Sequence, residues 1–131
     1  MIRIAVFSTA LILLLAGCTQ SGGTNSLLNL TDKDTGRSFE IAAGGQLTVI
    51  LPGNPTTGYT WEMAPAGDQI LTQTGNPEFK SSSNALGAGG EITLNFVAAK
   101  TGSTRLKLVY HRPWQTSVPP IQTYEVMITV K

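Results

Sequence analysis

Residues 91–111 run EITLNFVAAKTGSTRLKLVYH, and apolar side chains recur there at every second position. Ile92, Leu94, Phe96 and Ala98 alternate with Thr93, Asn95 and Val97. Past a Lys100-Thr101-Gly102 turn, Leu106, Leu108 and Tyr110 alternate with Arg105, Lys107, Val109 and His111. Successive side chains of a strand point to opposite faces, so this spacing marks strands with one buried face. The pattern extends outward in both directions. Leu47, Val49 and Leu51 bracket Thr48 and Ile50, a strand apolar on both faces. Tyr59, Trp61 and Met63 bracket Thr60 and Glu62, and Tyr124, Val126, Ile128 and Val130 alternate with Glu125, Met127, Thr129 and Lys131. Beyond the N-terminal apolar run, no segment carries a 3.6-residue stripe. Strands are predicted at 36–42, 46–51, 59–64, 91–98, 104–111 and 121–130. A weaker one falls within 69–80, interrupted by Gly75-Asn76-Pro77, and a short extra strand is expected at 27–31. Short strands separated by Gly, Pro, Asn and Ser clusters predict an all-β chain, a single β-sandwich of antiparallel strands.

Ahead of the strands, residues 1–17 have the parts of an export signal. Arg3 supplies the charge, Ile4 to Leu15 an apolar run broken only by Ser8 and Thr9, and Leu15-Ala16-Gly17-Cys18 a small-residue cleavage site. The run is shorter than the roughly 20 residues needed to span a bilayer. Leu-Ala-Gly-Cys resembles the lipobox of bacterial lipoproteins. That resemblance implies an acylated Cys18 at the mature N-terminus, membrane attachment through lipid, and a place in the bacterial cell envelope. Thr19 after Cys18 points to the outer membrane. Thr19 to Ser26 is small and polar, a flexible tether. The expected organisation is therefore a lipoprotein signal peptide at 1–17, the lipidated cysteine and tether at 18–26, and one domain at 27–131.

Composition removes whole classes of function. The 131 residues hold 9 Lys and Arg against 8 Asp and Glu; without Arg3 the two balance. Nucleic-acid binding rests on phosphate neutralisation, so a balanced chain has no electrostatic case for it. The single cysteine allows no disulfide within the chain. One His and one Cys cannot build a closed zinc site of four such ligands, and no metal or other cofactor is expected. Any Ser-His-acid chemistry would run through His111, the only histidine, whose nearest acid on the adjacent predicted strand is Glu125. No catalytic residue is assigned.

The connections divide by length. If successive strands alternate in direction, Ala43-Gly44-Gly45, Ala64 to Asp68 and Ala99 to Gly102 share one end and are short. Pro52 to Gly58, Ser81 to Gly90 and Arg112 to Pro120 share the other and are long. Grouping of distinctive loops at one tip is how sandwich domains build recognition surfaces. In the first long loop, Pro55 fixes its own φ and holds Asn54 extended. Asn54 can close an Asx-turn, Thr56 and Thr57 are stiff at χ1, and Gly58 permits a positive φ. The product is a rigid, narrow projection with two hydroxyls at its crest. The second loop is glycine-dense, with neither the following helix nor the Lys-Ser/Thr pair of a phosphate cradle. The third places Trp114 in a Pro-flanked loop beside Arg112, residue types enriched at interfaces. Trp61, in phase with Tyr59 and Met63, reads as core.

Taken in order, Asn54-Pro55-Thr56-Thr57-Gly58-Tyr59, Gly87-Ala88-Gly89-Gly90 and Arg112-Pro113-Trp114 resemble the three signature segments of the chagasin-type inhibitors of papain-like cysteine peptidases. The resemblance runs from about Leu27 to Val130. It implies an immunoglobulin-like sandwich, monomeric, whose three loops enter a peptidase cleft as a wedge. Thr56 and Thr57 would sit over the target's Cys-His pair, Gly87 to Gly90 would run along one side, and Arg112 and Trp114 of the Arg112-Pro113-Trp114 segment would pack on the other shoulder. A rigid loop loses little entropy on docking. The implied activity is reversible, competitive inhibition, with a peptidase as partner and no catalysis by this chain. The alternative is an immunoglobulin-like envelope lipoprotein serving adhesion or structure, for which the three motifs would be coincidence.

Overall fold

The computed structural model describes residues 26–131. Cys18, the signal at 1–17 and nearly all of the tether lie outside the described residues. The strands are β1 (Leu27–Thr31), β2 (Ser38–Ile41), β3 (Gln46–Gly53), β4 (Thr60–Met63), β5 (Leu71–Gln73), β6 (Glu78–Ser81), β7 (Gly90–Ala98), β8 (Gly102–His111) and β9 (Gln122–Val130). Single 3-10 turns occupy Asp32–Asp34 and Pro55–Thr57. One sheet has the order β1-β3-β7-β5, with β6 also on β7, and the other runs β2-β9-β8-β4. The molecule is an all-β, immunoglobulin-like sandwich, and the period-two strands lie within a residue or two of their expected bounds.

The alternating residues meet between the sheets. Leu47, Val49, Leu51, Ile92, Leu94, Phe96 and Ala98 from one sheet face Trp61, Leu106, Leu108, Tyr110, Tyr124, Val126, Ile128 and Val130 from the other, all buried. Burying a Val, Leu, Ile or Phe side chain is worth about 1.5–3 kcal/mol before chain entropy is charged against it. Ile50, on the outer face of β3, is half-buried.

Two pairings correct the expectation of a purely antiparallel sandwich. β1 runs parallel to β3, Leu28 opposite Leu47, and β2 runs parallel to β9, Phe39 opposite Ile128. The cause is the alternation itself. β1 and β3 are separated by two reversals, so they point the same way, and crossing between sheets at residues 32–37 makes them neighbours. The strand expected within 69–80 is two pieces. β5 pairs with Phe96–Ala98 and β6 with Gly90–Thr93 of the same unbroken β7, because Pro77 between them has no N–H to give the ladder.

Alternating directions place the β3–β4, β6–β7 and β8–β9 connections at one tip. The turn after β1 points the same way but leaves its strand opposite Ile50, three residues before β3 ends.

A braced tip of three loops

Each of the three loops is short of apolar partners and is held by hydrogen bonds. Asn54 is extended at φ −143° and starts the 3-10 turn, its Oδ1 accepting from Thr56 N at 3.2 Å. The same oxygen accepts from Thr56 Oγ1 at 2.5 Å, and Asn54 O accepts from Thr57 Oγ1 at 2.6 Å. The two crest hydroxyls therefore bond back to Asn54, and both threonines remain exposed. Thr57 N donates to Asn54 O and Gly58 N to Pro55 O, at 3.2 and 3.0 Å. Gly58 closes the turn at φ +83°, a conformation that costs other residues roughly 1–2 kcal/mol.

The first loop is tied to both others. Asn54 Nδ2 donates to Gly87 O at 2.9 Å, joining it to the glycine-rich loop. Arg112 Nε donates to Thr57 O at 3.0 Å, joining it to the third. The Arg112 guanidinium lies 4.5 Å from the centre of the Tyr59 ring, and the Trp114 indole covers Gly58, where a Cβ would collide with it. Gly89 packs beside Gly53 and Asn54. All thirteen residues singled out from the sequence thus lie on or beside one surface, with Tyr59 half-buried at its base and Pro113 and Trp114 exposed.

Three features of the tip were not legible as parts of it. Tyr110 reads as an inward strand residue, yet its hydroxyl accepts the Asn54 N–H at 2.9 Å and its ring lies 5.4 Å from Tyr59 and 4.9 Å from Trp61. The signal was available, since a buried tyrosine hydroxyl at a strand end needs a partner. Leu86, the one large apolar side chain of the 82–89 loop, is fully exposed. His111 takes its acid from the other neighbouring strand, Nε2 lying 2.7 Å from Glu62 Oε2 across the β4–β8 pair; Glu125 instead faces Lys107 at 3.7 Å. No group of three or more His, Cys, Asp or Glu gathers as a metal site among the described residues.

A sandwich that gathers braced, mostly uncharged loops at one tip belongs to the class of loop-presenting binding modules. Residues 40–128 match the family described as chagasin family peptidase inhibitor I42, and the chain belongs to that family, whose members inhibit peptidases and are not enzymes. Among solved structures it is similar to the cysteine protease inhibitor EhICP2 of Entamoeba histolytica, with a TM-score of 0.67 and 21% identity over 80% of this chain and 95% of that one. The solution structure of amebosin gives a TM-score of 0.64 and 29% identity over 79% and 97% of the two chains. PbICP-C, solved in complex with falcipain-2, gives 0.50 and 20% over 82% and 93%. No curated protein matches the chain.

Proposed function

We propose that this protein is a reversible, competitive inhibitor of papain-like cysteine peptidases, and that residues 54–59, 87–90 and 112–114 form the surface that enters the target's cleft. Family membership supports the reading, as do solved relatives described as cysteine protease inhibitors. The observation that carries it is the tying of the central loop to both flanking loops through Asn54 and Arg112, which makes one wedge of three segments. A wedge ordered before docking loses little entropy there, so more of its contact energy appears as affinity. The Thr56-Thr57 peptide is turned and held by its own hydrogen bonds, whereas attack by a thiolate would need a carbonyl presented in line within about 3–3.5 Å. Occlusion without cleavage follows, with Trp114 and Leu86 available as apolar contacts on opposite flanks of the threonines.

Attachment through an acylated Cys18 in the bacterial envelope belongs to the same proposal. Ser26 O accepts from Gln46 N, at the base of β3, so the chain enters the domain at the end opposite the three loops. An eight-residue strand at about 3.4 Å per residue puts roughly 24 Å between that entry and the tip, which an anchor would leave clear.

Titration against papain and a cathepsin L-type enzyme tests the reading. Full, reversible, substrate-competitive inhibition is expected, with binding retained by papain whose catalytic thiol is methylated. Absence of inhibition, or cleavage between Thr56 and Thr57 on the timescale of inhibition, overturns it.

A further inference from the structure

Arg112 is the cation nearest the central loop, and it makes no ion pair among the described residues. Its side chain is half-buried and turned toward its own protein. Nε donates to Thr57 O, and the guanidinium plane covers Tyr59, whose ring rests on Tyr110 and through it on the buried Trp61. The bond falls on the carbonyl just before Gly58, the hinge where the turn ends in a left-handed conformation. The rest of that turn is held by short-range bonds to Asn54 and Pro55. Arg112 thus gives the C-terminal side of the loop its side-chain hydrogen bond, beside the packing of the Trp114 indole on Gly58.

We propose that Arg112 is a positioning residue: it holds the 54–58 loop in its docking-ready shape from within, and its charge is not what the target reads. This rests on the inhibitor reading above. The chemistry separates the two roles. Gln Nε2 occupies the same place along its side chain as Arg Nε, so Arg112→Gln keeps a donor for Thr57 O while removing the charge and the guanidinium over Tyr59. Arg112→Lys keeps the charge but puts a methylene where Nε stood, and loses the planar fork. If only a fraction of molecules holds the competent loop, apparent affinity falls by that fraction.

The test uses the full-length chain with two readouts. Amide exchange of Gly58 in the free protein reports loop closure without any peptidase. Inhibition of papain reports function. For Arg112→Lys the expected results are faster exchange at Gly58 and inhibition weaker by about tenfold, the size of one lost charge-assisted hydrogen bond. Arg112→Gln should restore both to within a few-fold of the original. The reverse order, with Lys inhibiting normally and Gln weak, would mean that a target carboxylate reads the charge, and the proposal fails. It also fails if neither variant changes exchange at Gly58. If the unaltered protein inhibits no papain-like enzyme, the inhibitor reading falls, while the exchange measurement still decides whether Arg112 braces the loop.

Discussion

Trp61 is 3% exposed, donates Nε1–H to Pro52 O at 3.0 Å and stacks on Tyr110, whereas Trp114 is 66% exposed and lies over Gly58. Truncating the two should separate folding from inhibition. Trp61→Ala is expected to cost about 3–5 kcal/mol in denaturant unfolding, as removal of a buried aromatic does. Trp114→Ala should shift stability by no more than about 0.5 kcal/mol, the range for exposed positions, while weakening inhibition at least about tenfold. A large stability loss at Trp114 would make it a core residue. Asp68 contributes to the acid response at the other end of the molecule. Thr104 Oγ1 donates to its carboxylate at 2.6 Å and Ile70 N at 3.0 Å, and these bonds, the Thr104 bond foremost, hold its pKa below the ordinary 3.8. A lowered folded value favours the native state above the ordinary pKa, and the benefit disappears as pH falls through the lowered value. Urea midpoints measured from neutral pH downward should therefore drop below about pH 4, and less steeply in Thr104→Val. Equal slopes would remove Asp68 from the account.

At the scale of elements, β6 is the least buried strand, with all four residues exposed and β7 its hydrogen-bonded neighbour. Gly90, opposite Ser81, explains how the glycine-rich loop closes. A Cβ there would strike the Lys80 carbonyl and the Ser81 backbone, atoms that cannot swing aside as a side chain can. Gly90→Ala should therefore open the β6 end of the hairpin, where Ser82 N donates to Gly89 O at 3.0 Å, and leave the core strands in place. Faster amide exchange at Ser82 with protected Leu94 and Leu106 is the expected pattern, accompanied by weaker inhibition. Uniform loss of protection would show that the hairpin is integral to the core. The motif glycines thus serve different needs: Gly58 supplies a positive φ and room for the Trp114 indole, and Gly90 supplies room for the β6 backbone.

For the whole molecule, charge and tethering set how a target is met. Acidic and basic side chains nearly balance, so no strong field steers encounter. The association rate with papain should change by less than about threefold between low and physiological salt, in contrast to steered pairs. A steep salt dependence would reveal a charged rim in the contact. If Cys18 carries acyl chains, the native protein partitions into the detergent phase of a cell extract and Cys18→Ser into the aqueous phase, since two or more chains are needed for stable attachment. Native protein in the aqueous phase would refute the anchor.

The long strands, their buried faces, the burial of Trp61 against the exposure of Trp114 and the three loop motifs were legible in the sequence, because each depends on residues close together in the chain. Alternation at 92–98 or 106–110 reports which face is buried without knowing what covers it, Pro55 fixes its own φ, and Gly58 permits a positive one. What only the tertiary structure decided are the relations between distant segments. The parallel pairing of β1 with β3 and β2 with β9 depends on which sheet each strand joins, a choice that leaves the period-two pattern unchanged. The break between β5 and β6 is bridged by a partner strand about 20 residues further on. His111 meets Glu62, Tyr110 meets Asn54, and Arg112 turns inward to Thr57 across separations of 49, 56 and 55 residues. Hydrogen-bond partners of that kind follow from packing in three dimensions, which local spacing does not encode.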